Sequence, residues 1–205
     1  MKIKSLLFLM FWSIFSVNGK QTVQLNQISC SVKWWAVFHP FVALKSMKIS
    51  SKSRLLANSD SIKTIFGNDG NGGGLDAFRH TYWMASLSQE IGNKKALKLG
   101  IAHEKGNRKD FEKKRLEEGQ LPDRISVDMD LHNNAVGVLL TQKNGVMTQE
   151  ELIKRIYSLY SSGKLVVVKK DSSLNSLTID GKIIPDGDWQ GKWENDRVLI
   201  PSNCD

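Results

Sequence analysis

Three of the four histidines in this chain lie in short segments crowded with other groups that titrate or bind metal ions. His80 sits in Asp76-Ala77-Phe78-Arg79-His80-Thr81-Tyr82-Trp83. His103 is followed directly by Glu104. His132 sits in Asp128-Met129-Asp130-Leu131-His132-Asn133-Asn134. An imidazole gains or loses its proton near neutral pH and is a common metal ligand. If the three segments converge in the fold, they form a polar site fit for acid–base or metal-assisted chemistry.

In the first segment Asp76, Arg79, His80 and Trp83 fall at i, i+3, i+4 and i+7, which places them on one face of a helix. Asp76 could hold Arg79 or His80 in place. His80 could then act as a base or a ligand, and Arg79 could stabilise an anionic group. The plainer alternative is a helix-capping ion pair beside a hydrogen-bonded core histidine. In the second segment adjacent helical residues point about 100° apart, so His103 is the ligand or base and Glu104 its orienter, or the two form an exposed pair near a helix end. A zinc-protease HExxH is excluded because position 107 is Asn. In the third segment Asp130, Asn133, Asn134 and Gly137 again repeat at i, i+3, i+4 and i+7. Asp128 and His132 form a second polar edge. Adjacent amides are poor helix formers, so Asn133 and Asn134 either hydrogen-bond another helix or touch a substrate or metal. A mixed His and carboxylate set suits a divalent transition metal, although the motifs do not require one and the cofactor stays open. No GxSxG element is present.

These segments need helices to carry them. The chain reads as mainly α, a compact helical domain with a small C-terminal β-hairpin region. The apolar spacing predicts helices from about Pro40, over Ser53–Ile65, Asp76–Ile91, Lys94–Glu104 and Val127–Leu140, and after Thr148 as far as Gly163. Gly67-Asn68-Asp69-Gly70-Asn71-Gly72-Gly73-Gly74 is a loop, with too few carboxylates for calcium and no P-loop lysine; it reads as a flexible entry to the helix bearing His80. Lys105–Arg124, with charges alternating in sign, reads as a solvent-facing excursion. Leu165-Val166-Val167-Val168 reads as a strand, and Asp180-Gly181 as a hairpin turn.

Residues 1–19 are expected to be a secretory signal: Lys2 and Lys4 precede an apolar run from Ser5 to Val17, shorter than the roughly 20 residues that span a bilayer. The mature chain then holds no transmembrane segment and is secreted or periplasmic. Residues 20–32 form an extended lead-in, 33–163 the helical domain and 164–205 a β-rich appendix packed on the same domain. The formal charge of +8 falls to +6 once Lys2 and Lys4 are removed. That balance fits anionic partners: an acidic envelope polymer or lipid, and more weakly nucleic acid. Cys30 and Cys204, one near each end, are expected to pair in an oxidising compartment.

Gly73-Gly74-Leu75-Asp76-Ala77-Phe78-Arg79-His80-Thr81-Tyr82-Trp83, then Ala102-His103-Glu104, then Met129-Asp130-Leu131-His132-Asn133-Asn134-Ala135-Val136-Gly137 resembles a bacterial domain family of unknown function. Its members look like small secreted proteins or the C-terminal ends of polymorphic-toxin and cell-wall-associated proteins. The resemblance covers roughly residues 40–165 and implies no activity. It marks Asp76, Arg79, His80, Trp83, His103, Glu104, Asp130, Asn133 and Asn134 as signature positions.

The leading functional expectation is a hydrolase of an envelope or anionic polymer. His80 or His103 would be the base and Glu104 or Asp130 the acid or orienter. Arg79 would stabilise an anion, with Asp76, Trp83, His132, Asn133 and Asn134 binding or orienting substrate. The alternative is a non-catalytic secreted binding or structural domain with a buried polar network between helices. A nuclease-like toxin is a third option.

Overall fold

The computed structural model describes residues 29–116 and 120–204. The expected signal and residues 20–28 of the expected lead-in lie outside the described residues. The fold is mainly α-helical, with eight helices and one two-stranded antiparallel sheet among the described residues. None of these helices is long and apolar enough to cross a membrane.

Helix α1 (Cys30–Phe38) begins inside the expected lead-in, because the Ser29 hydroxyl caps it by accepting a hydrogen bond from the Val32 N–H at 3.4 Å. His39 leaves the helical conformation, and Pro40 opens α2 (Pro40–Ala57), where its missing N–H costs nothing. The sequence divides α2 at its serines, yet the helix runs on to Ala57. Ser46 and Ser50 donate to the carbonyls four residues earlier, at 2.8 and 2.9 Å, and so do not compete for the backbone of the next turn. The helix expected over Ser53–Ile65 is therefore split: its start is the end of α2, and its remainder is α3 (Asp60–Phe66).

Helix α4 (Gly74–Ile91) is the centre of the domain and is buried on nearly all sides. It packs against α2, α3, α5 (Asn93–Glu112), α6 (Arg124–Asn144), α7 (Gln149–Ser161) and β1 (Val166–Val168). Phe78, Tyr82 and Ala85 join a core with Phe66, Met129, Ile156 and Val167. Met84, Leu87 and Ile91 join a second core with Trp35, Leu99 and Val138. A helix flanked by two cores has no large solvent face, so its polar side chains must find partners in the protein.

Helix α5 continues two turns beyond Glu104, through the first part of the expected charged excursion. Lys105, Arg108 and Lys109 face outward. The inner face is small and polar: Asn107 is buried, and Gly106 lies so close to α1 that a Cβ there would sit 2.4 Å from the Ser29 hydroxyl oxygen. Capping boxes start both α6, through Asp123 and Ser126, and α7, through Thr148 and Glu151.

Strand β1 pairs with β2 (Leu199–Pro201) in the register Val167↔Ile200. Between them lie two isolated bridges, Lys170↔Ser176 and, around the Asp180-Gly181 turn, Leu177↔Ile183, and the short helix α8 (Asp186–Trp189). Gly181 adopts the left-handed φ of 82° that the turn needs. The expected Cys30–Cys204 disulfide is absent: both thiols are free and exposed. Cys30 opens a helix packed on α2 and α5, whereas Cys204 follows a strand paired with β1, so the two ends are tied down by different parts of the fold.

Helices α4 and α6 approach closely at Gly137. A Cβ there would fall 2.3 Å from the Thr81 carbonyl oxygen and 3.1 Å from the Ala85 nitrogen, both backbone atoms that cannot turn aside. Gly137→Ala is expected to push the helices apart and destabilise by about 1–3 kcal/mol, measured by urea unfolding. Unchanged stability would mean that this contact does not set the spacing of the two helices.

Candidate functional site

The Gly-rich loop before α4 is held in place. The Gly72 N–H donates to Asp76 Oδ2 at 2.7 Å, the Val168 N–H donates to the Gly72 carbonyl at 2.7 Å, and Lys170 clamps both the Asp69 carboxylate and the Asn71 carbonyl. The loop read as a flexible entry is thus tied to β1 and to the first turn of α4. Its purpose in the local structure is to orient Asp76, whose other oxygen, Oδ1, accepts from Arg79 Nη2 at 2.7 Å. Burial pushes the Asp76 carboxyl above the usual carboxylate range, against the opposing pull of the Arg79 guanidinium and the Gly72 N–H.

One turn along α4, His80 is buried and meets groups from three directions. Its Nε2 lies 3.3 Å from Asp130 Oδ1 on α6, 3.5 Å from Asp76 Oδ1 and 3.4 Å from Arg79 Nη2. Its Nδ1 lies 3.3 Å from Asn134 Oδ1. The Asn134 amide donates through Nδ2 to Glu104 Oε1 at 3.2 Å, and Asn107 donates to Glu104 Oε2 at 3.0 Å. A carboxylate only accepts, so Glu104 draws the Asn134 NH₂ toward itself and turns the amide oxygen to His80. That oxygen accepts a hydrogen, which puts the proton on His80 Nδ1. Nε2 is left to face two carboxylate oxygens and a guanidinium. It can carry a proton there, as an imidazolium between Asp76 and Asp130, or present its lone pair to a cation. One ligand atom from each of Asp76, His80 and Asp130 lies within 4.8 Å of the other two, close enough for a single metal ion. Two carboxylates and an imidazole are a donor set that divalent ions accept.

Asp76 and Asp130 reach a small cavity of about 40 Å³, which is also lined by Arg79 and Arg197. A second cavity of about 260 Å³, lined by Arg54, Asn58 and Leu75 among others, shares Gly70 and Arg79 with the first.

A family model described as a domain of unknown function, DUF6973, matches residues 33–164. The chain belongs to that family. No curated protein and no solved structure matches it. The matched span contains all three polar segments and ends just before β1, so Arg197 lies outside the DUF6973 domain.

Within the domain the three segments meet, but not every residue singled out from the sequence faces the same point. Asp76, Arg79 and Asp130 surround His80 Nε2, and Glu104 is linked to the His80 ring through Asn134. His103 is half-buried; its ring centroid is 6.5 Å from that of His80 and 5.5 Å from that of Trp83. Trp83 donates its indole N–H to Ser50 at 2.8 Å, which ties α4 to α2. Asn133 turns away to β1, where its amide donates to the Val166 carbonyl at 2.9 Å and accepts from the Val166 N–H at 3.1 Å. It replaces a neighbouring strand. His132 is exposed and lies 3.0 Å from the Lys164 carbonyl, and Asp128 is exposed and pairs with Arg124. The adjacent amides therefore have different duties: Asn134 orients the histidine, and Asn133 holds the sheet.

Sequence reasoning missed Asn107, Gly72 and Arg197. The Asn at position 107 that excludes HExxH is itself a signal, since i, i+3 spacing puts its amide beside Glu104. Gly72 acts through its backbone. Arg197 is far away in sequence, and no spacing rule connects it to α4.

Asn134→Ala is expected to release His80 from its fixed tautomer, seen in the imidazole ¹⁵N signals. Asn133→Ala should leave those signals unchanged while costing about 1–3 kcal/mol for the unpaired Val166 groups. An unaltered tautomer in Asn134→Ala would remove Asn134 as the orienting group.

Proposed function

We propose that this domain is a hydrolase of an anionic substrate whose working centre is His80 between Asp76 and Asp130, and that these three residues hold a divalent cation. The observation that carries the reading is the position of His80 Nε2, 3.3 and 3.5 Å from two carboxylates, with its opposite nitrogen committed to Asn134. A ligand histidine fixed through its second nitrogen by a polar neighbour, itself fixed by a carboxylate, is the arrangement that orients metal-binding imidazoles. A bound divalent cation would polarise the scissile group and lower the pKa of a water.

The residues supply the rest. Arg79, which lines both cavities, would take the negative charge of the substrate. Asp130, on the wall of the smaller cavity, would accept a proton from the attacking water on the carboxylate oxygen not given to the cation and return it to the leaving oxygen. The water oxygen bonds to the acid centre of the substrate as the bond to the leaving oxygen breaks. The sum is an acid plus an alcohol from an ester and one water. The basic charge and the expected secretory leader favour an envelope or other extracellular polymer as substrate.

A second reading is favoured by one observation: Glu104 and Asn134 are almost wholly buried and hydrogen-bonded to one another. On that reading the network only specifies helix packing, and the domain binds or supports without catalysis.

Elemental analysis of the purified full chain separates the two. Near-stoichiometric metal is expected, lost in His80→Ala and Asp130→Asn and retained in His132→Ala. Hydrolysis of an anionic polymer panel should fall by at least about 100-fold in the first two variants. A metal-free chain that stays inert after metal supplementation, with His80→Ala costing only stability, would leave the packing network.

A further inference from the structure

We infer that the small cavity beside Asp76 and Asp130 is a phosphoryl pocket clamped by Arg79 and Arg197, so that the substrate of the proposed hydrolase is a phosphate ester. This rests on the reading of the Asp76–His80–Asp130 centre given above.

Arg197 comes from the C-terminal segment beyond the family domain, and its placement there is heavily built. It is 4% exposed. Nη1 donates to Asp123 Oδ2 at 2.7 Å, Asp123 also accepts from Asn195 Nδ2 at 2.7 Å, and the guanidinium lies 4.2 Å above the Trp189 ring centroid. Its Nη2 is so near the loop holding Asp76 that a Cβ on Gly72 would sit 3.4 Å from it. A guanidinium has five N–H donors. Asp123 Oδ1 is committed to the Ser126 N–H, and the buried Arg197 Nε has no hydrogen-bond partner among the described residues. A buried guanidinium that lines a polar cavity suits an acceptor-rich anion.

Arg79 lines the same cavity from α4. Two guanidiniums carried by different parts of the fold and sharing one small space match a group with several oxygens in a tetrahedral array. Size agrees: about 40 Å³ holds roughly three waters, which suits a phosphoryl group. The rest of the ester would lie in the adjoining 260 Å³ cavity, which shares Arg79 and Gly70 with the pocket. Charge adds a condition. Among the described residues Asp123 balances Arg197, and Asp76 with Asp130 outweighs Arg79, so their ionised forms repel an anion. A divalent cation on the three ligands reverses that sign. Phosphate should therefore bind with the cation and not without it.

The test is calorimetric titration of the full chain with inorganic phosphate, in the presence and absence of Mg²⁺ or Mn²⁺. Cation-dependent binding is expected, weakened at least about tenfold in Arg79→Gln and Arg197→Lys and unchanged in Arg124→Gln, an exposed arginine on the first turn of α6. Arg79 is partly exposed, so Arg79→Gln keeps the test valid if Arg197→Lys does not fold. No phosphate binding by the folded, cation-supplied chain overturns the pocket. So does binding unaffected by Arg79→Gln, or acetate binding as tightly as phosphate. Phosphate binding that follows the two arginines without turnover of any ester leaves the pocket standing and removes the hydrolase. Turnover insensitive to phosphate and to Arg79→Gln removes the pocket alone.

Discussion

His80 Nε2 can lie between two carboxylates only because α4 and α6 touch at backbone distance. Asp76 and His80 belong to one helix, Asp130 and Asn134 to the other, and Gly137 is where the second helix has no side chain to hold them apart. A Cβ at that position would overlap the Thr81 carbonyl. The distances around His80, all between 3.3 and 3.5 Å, leave no room for such a shift. Packing on either side of α4 then keeps the pair in register, since two hydrophobic cores share that helix as a common wall.

Electrostatics makes the same place unusual. Burying a carboxylate is costly unless it is paired, and here Asp76, Asp130 and Glu104 are all buried near one another. Each is partnered differently. Asp76 has Arg79 and a backbone N–H, Asp130 has His80, and Glu104 has two side-chain amides. Glu104 thereby acts at a distance: its negative charge decides which way the Asn134 amide points, and so which nitrogen of His80 is left for a proton or a cation. That directional consequence separates this cluster from a set of ion pairs that only hold helices together.

The C-terminal segment packs against the helices that carry this centre. Trp193 packs on Phe111 and under Arg108 at the end of α5, its carbonyl accepts from the Arg124 N–H, and Arg197 meets the Asp123 cap of α6. These contacts span the connection between α5 and α6, beside the cavity. Arg197, outside the DUF6973 match, thus lines a cavity whose other lining residues lie inside it.

The helical class, the central helix, the start of α7 after Thr148 and the turn at Gly181 were legible from the sequence, because periodicity, helix-start residues and turn glycines are set by neighbours along the chain. So was the choice of Asp76, Arg79, His80, Glu104, Asp130 and Asn134 as polar groups needing partners. Which of them meet was decided by tertiary structure. Asn133 and Asn134 have the same chemistry and adjoin in sequence, yet a rotation of about 100° along α6 sends one to β1 and the other to His80. The extension of α5 to Glu112 depends on a buried inner face that its charged sequence conceals, and the free cysteines depend on where the chain ends are anchored. Arg197 joins the site only through folding, since no local rule relates a residue of the C-terminal segment to a cavity beside α4.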